Sequence, residues 1–119
     1  MFDAFRGGDP RAVFEVIAED AVWRVAGTAP VAGEYRGRRE IFELFRETRR
    51  RTDGTYLSEL RWAVADGDHA VAVYRARGQR LGRSIDIDQV LLITLRGGLW
   101  HEVTALPTDP AAFAAFWAD

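Results

Sequence analysis

Apolar positions recur with period two through the second half of the chain and with helical spacing in one stretch of the first. Val90 to Leu95 is an almost unbroken β-branched and leucine run, and Leu99 to Leu106 is apolar apart from His101, Glu102 and Thr104. Both read as strands buried over most of their surface. Between them Arg96-Gly97-Gly98 supplies the positive-φ positions of a tight turn, so two adjacent antiparallel strands are expected at the centre of a sheet. Upstream, Tyr56–Ala65 and His69–Arg77 flank Asp66-Gly67-Asp68, a second hairpin signal, and Gly78–Gly82 turns the chain into Arg83–Leu95.

The first half is different. Met1–Arg6 reads as the last turn of a helix stopped by Gly7-Gly8, and Asp9-Pro10 opens a short helix with Val13, Phe14 and Ile17 on one face. Glu19-Asp20 lead into a strand, Ala21–Ala26. Gly27 to Gly37 reads as a loop carrying Glu34 and Tyr35. Arg38–Arg51 places Ile41, Phe42, Leu44, Phe45 and Thr48 at helical spacing, with Arg49, Arg50 and Arg51 at the negative end of the helix dipole. After the last strand, Thr108-Asp109-Pro110 opens a terminal helix burying Phe113, Phe116 and Trp117. Helices grouped before a run of strands predict an α+β domain, with helices packed on the concave face of a strongly bent, mainly antiparallel sheet. A pocket is expected between that face and the long helix.

At 119 residues the chain supports a single domain, 1–119, with one hydrophobic core. A formal net charge of −2 supplies no global field for nucleic acid or an anionic membrane. The absence of cysteine excludes disulfides, thiolate nucleophiles and Cys-based metal sites, and two histidines without i, i+4 spacing do not make a zinc site. No eighteen-residue apolar span or signal-peptide layout is present, so a cytoplasmic location is expected. The cluster Arg46, Arg49, Arg50 and Arg51 reads as a solvated helix end rather than an RNA surface.

The segments AEDAVWRVAG (Ala18–Gly27), VAGEYRGRREIFELF (Val31–Phe45), DGDHAVAV (Asp66–Val73) and GGLWHEVTALPTD (Gly97–Asp109), in that order, resemble the SnoaL-like group of the nuclear transport factor 2-like, ketosteroid-isomerase-like superfamily. The resemblance implies a cone-shaped α+β barrel with a deep apolar pocket, commonly a homodimer through the outer sheet face. The first long helix of that fold is expected to be shortened here, since Met1 lies just before Gly7-Gly8. Ketosteroid isomerases place a carboxylate base where this chain has Val25 and an acidic oxyanion donor where it has Leu91. SnoaL-like cyclases carry a histidine at the position of Leu91 and an aspartate at that of Ala105. Those catalytic sets do not carry over.

By the same resemblance, the inward set is Gln89, Leu91 and Ile93 on one central strand and His101, Val103 and Ala105 on the other. His101 is then the ionisable group in an apolar cavity, a candidate general acid or base, with Gln89 orienting it or a ligand carbonyl. Trp23, Val25, Tyr35, Phe42 and Phe45 join Leu91, Val103 and Ala105 as expected ligand contacts, Tyr35 as a gate. Asp86 and Asp88 alternate with Ile85 and Ile87 and belong to the outer surface. The expected function is an apolar small-molecule pocket, as a cofactor-independent cyclase, isomerase or dehydratase acting on a polyketide- or terpenoid-like metabolite. The alternatives are a non-catalytic binding module, or an assembly protein that uses the outer sheet face. No cofactor, metal, nucleic acid or membrane is called for.

Overall fold

The computed structural model describes residues 15–118. The helices expected before residue 15 lie outside these. Six strands form one sheet in the order β2-β1-β6-β5-β4-β3. They are β1 (Ile17–Val25), β2 (Gly33–Arg36), β3 (Leu57–Asp66), β4 (His69–Arg80), β5 (Arg83–Arg96) and β6 (Leu99–Pro107). Two helices lie whole within the described residues, α1 (Gly37–Arg51) and α2 (Pro110–Trp117), and Glu15 and Val16 are also helical. β1 runs parallel to β6, and the other neighbours pair antiparallel.

The expected central hairpin is present, its turn made by Gly97 (φ 57°) and Gly98 (φ 78°). Consecutive positive φ values match the right-handed twist of the flanking strands. Two boundaries differ from expectation. Ile17, expected on a helix, is the first residue of β1, and the expected loop before α1 contains β2, which pairs antiparallel with β1. With Gly33 and two charged residues among its four, β2 lacks the apolar alternation that marks a strand, so tertiary pairing creates it.

Both helices cover the same sheet face. Trp23 of β1, which pairs with Val103, meets Phe45 of α1 edge to face with centroids 5.1 Å apart. At the other end, Gly78 of β4 lies under Tyr56 and Phe116; a Cβ there would come within 3.2 Å of the Tyr56 ring. Asp109 caps α2 by accepting the Ala112 amide at 3.0 Å. Arg80 and Arg83 donate to carbonyls of its last turn, Arg80 reaching Ala118 at 2.7 Å. This closes the helix C-terminus with two cations where the dipole favours them.

Candidate functional site

The inner face is built by side chains alternating along four strands. Ala70, Ala72, Tyr74, Ala76 and Gly78 point inward from β4, opposite Ile85, Ile87, Gln89, Leu91 and Ile93 of β5. Small residues on β4 leave Tyr74 as the long side chain of that row. Its partner across the ladder is Gln89, 2 % exposed; Gln89 and Thr52 are the buried polar residues among those described.

The tyrosine and the glutamine bond to one another. Tyr74 donates to Gln89 Oε1 at 2.9 Å, and Gln89 Nε2 donates to the Tyr56 hydroxyl at 3.2 Å. Tyr56 reaches this point through the end of α1. Thr52 Oγ1 accepts the Tyr56 amide at 3.1 Å, and Asp53 (φ 51°) and Gly54 (φ 78°) turn the chain back toward β4. Thr55 then ties that turn to the strand, accepting the Gln79 amide at 3.0 Å. Burial pushes the pKa of both hydroxyls upward. The Gln89 bond partly offsets this at Tyr56, whereas the neighbouring Tyr56 adds to it at Tyr74. Both therefore remain neutral donors at physiological pH. Tyr56 also packs on Trp117 of α2, with ring centroids 5.4 Å apart.

His101 stands elsewhere. Alternation from Val103 predicts His101 inward, but the β5–β6 ladder slips: Thr94 pairs with Glu102 and the next pair is Leu95 with Trp100. His101 is the extra residue of this bulge, and the inward place passes to Trp100, which is fully buried and stacks on Trp23 at 6.5 Å. The imidazole Nδ1 lies 3.6 Å from Asp20, whose side chain is 85 % exposed. The His101 side chain is 23 % exposed at this bulge, and Gln89 is hydrogen-bonded to the two tyrosines.

The other expected contacts divide. Trp23, Leu91, Val103 and Ala105 are buried together on the inner face, with Val25 and Phe45 half-buried beside them. Phe42 is half-buried, with the Arg46 guanidinium 5.5 Å from its ring centre. Tyr35 donates to the Val31 carbonyl at 2.7 Å and borders a different space, an open groove of about 430 Å³ between the Pro30–Val31 segment and α1. Burial raises the Tyr35 pKa, with Arg51 pulling against it. Glu47 on the same groove is held down to about 2 by hydrogen bonds from Arg50 and Arg51. Asp86 and Asp88 sit on the outer face as expected, paired with Arg75 and Arg61.

Sequence reasoning did not single out Tyr56 and Tyr74, and it expected Trp117 only as a buried residue of the terminal helix. The signal for Tyr74 was legible, as the one tyrosine in an alternating row of alanines; that for Tyr56 was not, because it rests on a chain reversal. Among the described residues no group of three or more His, Asp and Glu side chains is placed to hold a metal ion, and no helix is long and apolar enough to cross a membrane.

A mixed six-stranded sheet with its helices on one face, over an apolar layer holding a neutral tyrosine–glutamine–tyrosine set, makes an α+β domain whose fold is that of nuclear transport factor 2-like proteins. The chain belongs to the SnoaL-like domain family, whose model matches residues 1–103. An uncharacterized protein of Mycobacterium tuberculosis (strain H37Rv) is 32% identical over 118 residues, covering 98% of this chain and 90% of that protein. The structure of Bal32a, from a soil-derived mobile gene cassette, superposes with a TM-score of 0.89 at 26% identity over 98% of this chain and 89% of its own. A Xanthomonas campestris protein of unknown function with a cystatin-like fold gives 0.87 at 24% identity over 98% and 91%, a likeness of fold.

Proposed function

We propose that this SnoaL-like protein binds a compact, mostly apolar metabolite against the inner sheet face. The observation that carries this reading is the buried Tyr74–Gln89–Tyr56 set within an otherwise apolar layer that includes Trp23, Leu91, Trp100 and Val103. Such a layer selects by shape, and a few fixed polar groups set orientation. The chemistry that fits is cofactor-independent cyclisation, isomerisation or dehydration of a polyketide- or terpenoid-like intermediate. An apolar mould promotes such steps by restricting conformation. The neutral tyrosine hydroxyls, with pKa values raised by burial, serve to orient the ligand by hydrogen bonding. Plain ligand storage by the same interior is the second reading, favoured by the neutrality of its buried polar groups.

The test is a fluorescence titration of the protein with the polycyclic hydrocarbon fluorene. Trp23, Trp100 and Trp117 are buried and report on the interior, while Trp62→Phe removes the exposed signal. Saturable one-to-one quenching, unchanged in His101→Ala, is expected. Quenching that never saturates overturns the proposal.

The same reading extends to assembly as a homodimer through the outer sheet face. Two rows of that face align across the strands, Trp62–Val73–Val90–Leu106 and Val64–Val71–Leu92–Thr104. Trp62, Val64 and Leu92 are exposed. Arg61–Asp88, Arg75–Asp86 and Arg77–Glu59 pairs lie beside them. An apolar stripe edged by paired charges suits a second copy of itself.

A further inference from the structure

The connection between β1 and β2, residues 26–32, is bracketed by two glycines, Gly27 at φ 110° and Gly33 at φ 142°. A Cβ at either would meet nothing within 4 Å, so backbone freedom rather than space calls for glycine there. Between them the Ala32 amide donates to the Ala29 carbonyl at 2.8 Å, which ties residues 29–32 into one turn. Ala26 belongs to the sheet instead, its amide donating to the Ala105 carbonyl of β6 at 3.1 Å. Ala29 and Val31 of the turn are buried in the core.

Under this turn lies the β2 edge of the inner sheet face. Tyr35 pairs with Trp23 across the β1–β2 ladder, so both side chains lie on one face, and Trp23 meets Phe45 of α1. Val31, Tyr35 and Leu44 pack on that interior and also line the open groove of about 430 Å³ outside it. Val31 and Tyr35 thus part the groove from the interior. What joins them is one hydrogen bond, from the Tyr35 hydroxyl to the Val31 carbonyl at 2.7 Å.

We infer that residues 28–32 are a lid on the β2 edge of the interior, hinged at Gly27 and Gly33 and latched by the Tyr35 hydroxyl, and that the ligand enters from the groove when this latch parts. This rests on the interior-binding reading above and adds the route and its gate. Magnitude decides between this cover and the other, α2. Lifting α2 would expose Phe113, Phe116 and Trp117 and break the bonds of Arg80 and Arg83 to its carbonyls. Lifting the lid exposes an alanine and a valine and breaks one side-chain hydrogen bond. A latch that is closed both before and after binding slows entry and exit alike, so it governs rates and leaves affinity unchanged.

The experiment measures fluorene association and dissociation by stopped-flow tryptophan fluorescence, with β-cyclodextrin in excess as the trap for released fluorene. Tyr35→Phe keeps the ring beside Trp23 and removes the latch. Both rate constants are expected to rise about fivefold, the size of one net hydrogen bond, with the dissociation constant unchanged. Val31→Ala keeps the carbonyl that accepts the latch but thins the lid, and it should also quicken both steps. It tests the lid even if Tyr35→Phe does not fold. Two results overturn the inference while leaving the interior-binding reading intact: wild-type rates in the folded variant, or a change in dissociation alone, which would make Tyr35 a ligand contact. If fluorene does not bind the wild type saturably, the interior-binding reading falls and the lid falls with it.

Discussion

Tyr74 and Gln89 are direct partners across the β4–β5 ladder, and the tyrosine hydroxyl donates to the amide oxygen at 2.9 Å inside the apolar layer. Gln89 passes the interaction on to Tyr56, so a single amide serves two hydroxyls. Replacing it with leucine keeps the volume but removes the acceptor of one tyrosine and the donor to the other. Gln89→Leu is expected to lower stability by about 1–3 kcal/mol, read from the midpoint of urea unfolding. Tyr74→Phe should cost less in the Gln89→Leu background than in the wild type, because the shared bond is already gone. Additive losses would show that the two groups are not coupled.

The parts of this fold that the sequence discloses are those fixed by local pattern. The β5–β6 hairpin follows from Val90–Leu95, Leu99–Leu106 and the Gly97-Gly98 turn, and α1 from the spacing of Ile41, Leu44 and Phe45. That Gln89, Leu91 and Ile93 share a face follows from alternation, the resemblance makes that face the inward one, and all three are buried. What fails is inference across a bulge. The β6 bulge depends on how Trp100 and Glu102 pair with Leu95 and Thr94, which a one-dimensional pattern does not contain, and it exchanges His101 for Trp100. The tyrosine set was hidden for a related reason: Gln89 meets one partner 15 residues away and the other 33 away. Only the completed sheet brings them together.

Gly78 tests whether the seat of Tyr56 is tight. A methyl at Gly78 would meet Tyr56 Cδ2 at 3.2 Å and its backbone Cα at 3.3 Å. Backbone does not yield as a side-chain tip does, so Gly78→Ala is expected to destabilise by about 1–3 kcal/mol through overpacking. Tyr56→Ala in the same chain should recover part of that loss by removing the ring. Thermal unfolding of the two variants and the double variant checks this. A Gly78→Ala protein as stable as the wild type would mean that the β3–β4 end is loosely packed.

All three tyrosines of the chain have pKa values raised by burial, Tyr74 most firmly. The folded state therefore holds the phenols in their neutral form beyond the ordinary value of about 10. This stabilisation is complete below the unfolded pKa and is lost as pH rises through the folded pKa values. Spectrophotometric titration should show little tyrosinate until well above pH 10, followed by ionisation together with loss of the fold. Tyr74→Phe and Tyr56→Phe should each flatten the alkaline fall in stability. Ordinary titration of three phenols near pH 10 in a folded protein would contradict the buried network.

Leu92 gives the sharpest test of the outer face. It lies on β5 opposite Val71 and Thr104, and 44 % of its surface is exposed. Its side chain points away from the inner layer, so Leu92→Asp leaves the core untouched and places a charge in the middle of the apolar stripe. If that stripe joins two copies, the charge is buried without a partner in the dimer but solvated in the monomer, and dissociation follows. Sedimentation velocity at micromolar concentration should then show a dimer for the wild type and a monomer for Leu92→Asp, with matching circular dichroism. Trp62→Arg, one row away, should weaken association in the same direction. A wild-type protein that sediments as a monomer would overturn the assembly proposal, and Trp62 and Val64 would then be plain solvent-facing residues of the edge strand β3.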